Sequence, residues 1–130
     1  MLLTVLARRF PFFNSADDVE AMIEITTMFG TRKMRSCALL HGSVFETSIP
    51  SINEKGFSLE KIVLWATCRT QDSKGVAPTL RKDEAQAVKF LERLLELDPR
   101  KRMSAEEALD HDFLVGAGED SADIDEMEML

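Results

Sequence analysis

Several things are scarce in this chain. No apolar run approaches the roughly 18 residues of a membrane span, so nothing here reads as a transmembrane helix. There are two cysteines, Cys37 and Cys68. They lack paired metal-type spacing, which argues against both a disulfide framework and a zinc site, and suits a reducing, intracellular compartment. The two histidines, His41 and His111, are isolated from each other in sequence. Basic charge is not in excess. The net charge is −7, and six acids with no base occupy the last twelve residues (Glu119, Asp120, Asp123, Asp125, Glu126, Glu128). The rest is nearly balanced, so neither direct nucleic-acid binding nor adhesion to an anionic membrane is expected.

What remains is a 130-residue chain, 45% hydrophobic and 30% charged, with the balance of a globular domain that buries a modest core. Met1 to Ala7 is apolar on every side and reads as part of a core helix, not as a signal peptide, because Arg8-Arg9 follow it instead of preceding it. Pro11 stops it. Asn14 or Ser15 is the expected cap of the next helix, whose first turns carry Asp17, Asp18 and Glu20. Val19, Met22, Ile23, Thr26 and Phe29 form its expected inner face, and Gly30 its end. A short helix over 31–40 follows. It places Cys37 and His41 four apart, a spacing that permits a pair of metal ligands, a thiolate–imidazole couple or simply a small buried thiol near a helix end.

Ile49-Pro50, Asn53 and Lys55-Gly56 mark turns. Ser58 opens a helix over 59–69 whose stripe is Leu59, Ile62, Val63 and Ala66. Trp65 lies beside that stripe and is either core or an anchor for a partner. Residues 70–79 read as a polar, mobile loop. A further helix starts at Thr79 or Asp83, with Ala87, Val88, Leu91, Leu94 and Leu95 facing inward.

The most informative stretch is Leu97-Asp98-Pro99-Arg100-Lys101-Arg102-Met103-Ser104-Ala105-Glu106-Glu107-Ala108-Leu109-Asp110-His111-Asp112-Phe113. Pro99 cannot continue a helix. Ser104 and Glu107 have capping-box spacing. Arg102, a planar fork of donors, suits a carboxylate held in place.

This stretch resembles the segment that closes the C-terminal lobe of eukaryotic serine/threonine protein kinases. Leu95, Asp98, Pro99, Arg102, Ser104, Ala105, Glu107, Ala108, Leu109, His111 and Phe113 match it. Residues 12–30 (Phe-Phe-Asn-Ser through Phe-Gly) and the run from Phe45 to Trp65 are similar to one branch in particular, the catalytic subunit of the DDK complex, in a fungal-like form. The fold class implied is mainly α, the C-terminal half of a kinase-like C-lobe and an incomplete domain. Residues 1–115 would form this part, with a family-specific insert at about 42–79, followed by an acidic disordered tail over 116–130. Asp98, Pro99, Arg102, Ser104, Glu107 and His111 are then structural motif residues, while Trp65 and Phe45 are candidates for partner docking.

The resemblance further implies a nuclear kinase that uses ATP and Mg, pairs with a regulatory subunit and phosphorylates the MCM helicase. In the family, the arginine at the position of Arg102 pairs with the glutamate of an Ala-Pro-Glu motif. That motif does not occur in these residues, and neither do a Gly-rich phosphate loop, His-Arg-Asp or Asp-Phe-Gly. The expectation is therefore a kinase fragment that is inactive by itself, without cofactor, catalytic or metal sites of its own. The alternative is a non-catalytic helical interaction module.

Overall fold

The computed structural model describes residues 1–69 and 75–116. The loop expected over 70–79 falls partly, and the acidic tail almost wholly, outside them. Among the described residues the chain is helical and has no strand. The elements are α1 (Leu2–Ala7), α2 (Asp18–Phe29), α3 (Thr31–Leu40), α4 (Leu59–Ala66), α5 (Lys82–Leu94) and α6 (Ala105–Leu109), with helical backbone again over 112–116. The mainly α class read from the sequence holds.

The core is small and drawn from four helices. Leu3, Met28, Leu59, Val63, Val88 and Leu91 meet in one cluster, with Leu6, Phe12, Phe29, Ile62 and Leu95 packed against it. α1 packs on α4 and α5, and α4 on α5, so the stripe Leu59, Ile62, Val63 and Ala66 is the hub, as its spacing predicts. Val63 is fully buried. A fully buried side chain of this size contributes about 1.5–3 kcal/mol.

α2 departs from its expected face. Its cap is Asp17, whose Oδ1 accepts from the Glu20 N–H at 2.8 Å, not Asn14 or Ser15. Val19 and Met22 are exposed, while Thr26 and Met28 are buried. Only the C-terminal half of the helix reaches the core, so the inner face is set by Met28 and not by the full stripe. Thr26 is tolerated inside because its hydroxyl donates to the Met22 carbonyl at 2.6 Å.

Two glycines explain how the irregular stretch before α4 is held. Gly30 (φ 88°) and Gly56 (φ 65°) approach backbone to backbone. A Cβ at Gly30 would lie 2.4 Å from the Glu54 carbonyl oxygen, and one at Gly56 would lie 2.4 Å from the Phe29 carbonyl carbon. The close approach lets the Thr31 and Arg32 N–H groups donate to the carbonyls of Asn53 and Glu54, and Phe57 N–H to that of Met28. The first two bonds satisfy amides at the start of α3, which no helical carbonyl reaches.

α5 is capped at Arg81, not at Thr79 or Asp83. Beyond the expected inner residues it buries Phe90 and, unexpectedly, Glu84. The Glu84 carboxylate accepts from Arg69 Nη1 and Nη2, at 2.8 and 2.6 Å, and from the Arg81 N–H at 3.2 Å. Arg81 Nε lies 3.2 Å from the same carboxylate. This ion pair ties the end of α4 to the start of α5. The bidentate bond from Arg69 holds the Glu84 carboxyl at about 2, well below its ordinary range.

Candidate functional site

Two features stand out. The first is the closing segment. After α5, Asp98 gathers the chain into a tight turn. Its Oδ1 accepts from Arg100 N–H at 3.0 Å and Nε at 3.1 Å, its Oδ2 from Nη2 at 3.0 Å, and its carbonyl from the N–H groups of Lys101 and Arg102. The Arg100 bonds lower the Asp98 carboxyl to about 2. The capping box forms as its spacing predicts: Ser104 Oγ accepts from Glu107 N–H, and Glu107 Oε2 from Ser104 N–H, both at 3.1 Å. Met103 is buried, and its N–H donates to the Arg93 carbonyl. His111 and Phe113 stack against Phe90 of α5, with centroids at 5.1 and 5.3 Å. The Phe113 N–H donates to His111 Nδ1, so that nitrogen acts as an acceptor and the histidine caps the helical turn over 112–116.

Arg102 meets no carboxylate within ion-pair distance among the described residues. Instead its Nε donates to the Glu96 carbonyl at 2.8 Å, and Nη2 reaches the Leu97 carbonyl at 3.5 Å. The guanidinium satisfies carbonyls just past α5, where partial negative charge accumulates. Pro99 is exposed and stands where the helix has already ended.

The second feature is a groove of about 720 Å³ between α2, α4 and the 8–13 turn. Its walls include Phe12, Phe13, Ile23, Phe57, Ile62 and Trp65. Trp65 is 69% exposed and Phe57 53%. Trp65 is therefore not core, correcting that reading. It lies two positions from buried Val63, about 200° around the helix, on the outer side. Arg9 stacks over the indole at 5.4 Å. Arg9 and Lys61 line the groove, as does Glu24, whose Oε2 is buried without a hydrogen-bond partner. Phe45 is half-buried and does not line this groove, so the two docking candidates are not brought together. The pattern of the sequence marked Trp65 but not Phe12, Phe13 or Phe57, which come from separate turns.

Neither feature fits a nucleotide and its metal. Among the described residues no Gly-rich backbone loop lines either feature. Among the described residues, no cluster of three or more His, Cys, Asp or Glu side chains could hold a metal ion. Cys37 and His41 do come together, at 3.9 Å between Sγ and Nδ1. Nδ1, however, lies 2.8 Å from the Cys37 carbonyl, which can only accept. The proton therefore sits on Nδ1, which cannot serve as a base toward the thiol. No helix among the described residues is long and apolar enough to cross a membrane.

The helical core, the Asp-Pro turn and the capped final helix agree with a mainly α, kinase-like C-terminal lobe. No protein-family model matches the chain, but individual relatives do. The cell cycle serine/threonine-protein kinase hsk1 of Schizosaccharomyces pombe is 47% identical over 116 residues, covering 88% of this chain and 23% of that kinase. The cell cycle protein kinase spo4 of the same organism is 34% identical, covering 91% and 27%. The probable cell division control protein 7 homolog 1 of Encephalitozoon cuniculi is 34% identical, covering 87% and 29%. Over most of its length the chain is thus similar to cell-cycle kinases of the Hsk1/Cdc7 kind. It spans about a quarter of the length of the curated relatives it matches.

Proposed function

We propose that these residues are the C-lobe scaffold of a DDK-like serine/threonine kinase. They supply the helical base and a docking face to ATP-dependent phosphoryl transfer, and are non-catalytic by themselves. The observation that carries this reading is the closing segment. Asp98, Arg102 and the Ser104–Glu107 box form a tightly bonded turn and capped helix, while the sequence motifs that handle nucleotide do not occur in these 130 positions. The role in replication initiation, the nuclear location, the regulatory subunit and the MCM helicase substrate belong to the same proposal and rest on the kinship with Hsk1/Cdc7 kinases.

A chimera tests it. Residues 1–116 replace the matching segment of the fission-yeast hsk1 kinase, and phosphate transfer to a protein substrate is measured. Activity within about tenfold of the parent, a barrier change under roughly 1.4 kcal/mol, is expected. A chimera that folds but transfers no phosphate would sink the reading.

A second reading, an interaction module in its own right, is favoured by the exposed Trp65 in an aromatic groove. An exposed aromatic patch of this kind marks an interaction site more often than a bare surface. The occupant we propose is the regulatory subunit. Trp65→Ala should weaken its co-purification at least about tenfold, the scale of a single anchor residue. Unchanged co-purification would exclude the groove.

A further inference from the structure

We infer that the chain's own acidic segment, residues 117–130, occupies the Trp65 groove and competes with the partner proposed above. This rests on the docking reading of the groove. The groove presents aromatic walls and two cations, Arg9 and Lys61, neither of them ion-paired among the described residues. Its best ligand therefore alternates apolar side chains with acids. Residues 124–130 read Ile-Asp-Glu-Met-Glu-Met-Leu, and 119–130 contain no base. Methionine suits such walls, since a flexible thioether packs favourably against aromatic rings. The acids complement Arg9 and Lys61 at the rim.

Glu24 narrows the choice further. Its buried, unpartnered Oε2 repels an acid at the floor and favours a backbone N–H there, as a chain lying along the groove with its acids outward would provide. The neighbouring cavity, about 460 Å³ and lined by Glu96 and Arg102, is less suited. Its only cationic side chain, Arg102, is already bonded to backbone carbonyls.

The seven residues 117–123 ahead of the Ile124–Leu130 stretch extend about 23 Å at roughly 3.3 Å each, so the proposal requires the groove mouth to lie within that reach of Gly116. Tethering gives an effective concentration near 1 mM, so even a site with a Kd of about 100 µM would be roughly nine-tenths filled.

Trp65 is the only tryptophan and so reports on the groove. The full 130-residue chain is compared with the Met127→Ser/Met129→Ser/Leu130→Ser variant by acrylamide quenching. The variant's quenching constant should be about threefold higher, the change expected when a mostly filled tethered site empties. A charge-reversal cycle follows: Lys61→Glu should raise quenching in the parent, and adding Glu126→Lys/Glu128→Lys should lower it again. Equal quenching in parent and triple variant, or no rescue in the cycle, would overturn the inference. The test contains no partner. If Trp65→Ala abolishes co-purification while the tail leaves Trp65 unshielded, only this inference falls. If the tail shields Trp65 but no subunit binds, only the partner reading falls.

Discussion

Arg102 donates to the carbonyl of Glu96 at 2.8 Å, six residues back along the chain. A side chain suited to a fixed carboxylate thus holds down the end of α5 instead. Its contribution here is that of a charge-assisted bond at a helix C-terminus. Arg102→Ala should destabilise the chain by about 1 kcal/mol. Chemical denaturation checks this, and a loss above about 3 kcal/mol would mean that Arg102 has a buried anionic partner.

Acid should loosen the chain in a defined window. Glu84 and Asp98 are both held near 2, by Arg69 and Arg100 respectively. Groups lowered in the folded state contribute stability that is complete above their unfolded values. It is lost as protons bind between about pH 4.5 and pH 2. The midpoint of unfolding should be flat from pH 7 to 5 and fall below that. Glu84→Gln should remove part of the slope and lower stability at pH 7 by about 2 kcal/mol, because Arg69 loses its anionic partner. A slope unchanged in Glu84→Gln would show that the α4–α5 clasp does not form.

Two helix ends are closed by left-handed residues that carry a side chain. Arg8 has φ 52° and Cys68 φ 56°. After Arg8, the Arg9 N–H returns to the Thr4 carbonyl, and after Cys68 the Arg69 N–H returns to that of Leu64. These are the bonds of a glycine-type helix stop. Arg8→Gly and Cys68→Gly should each stabilise by about 0.5–1 kcal/mol, since the backbone conformation is unfavourable for any other residue. Lowered melting temperatures in both would contradict the helix-end geometry.

Gly56→Ala should do the reverse. Its Cβ would overlap the Phe29–Gly30 backbone, so the α2–α3 corner must open. A loss of more than about 2 kcal/mol is expected. Thermal melting at the level of the parent would show that the glycine contact is dispensable.

Local features were the legible ones. The Ser104–Glu107 box, the Gly30 stop and the Leu59–Ala66 stripe each depend on residues three or four apart, so spacing alone reveals them. Glu84 was hidden because it sits in a run of charges and its partner Arg69 lies 15 residues away across a loop without period. The groove was hidden for the same reason: Phe13, Phe57 and Trp65 converge from three segments. α2 misled because its apolar stripe is longer than the part that reaches the core. Arg102 was read correctly as a fork of donors, but nothing local could show that carbonyls, not a carboxylate, would receive it.

The most direct test of the account is a calorimetric titration of the 130-residue chain with Mg-ATP. A C-lobe scaffold without nucleotide-binding residues predicts no saturable heat up to millimolar ligand, the weak end of specific binding. Saturable binding with a micromolar Kd would contradict it and place a nucleotide site within these residues.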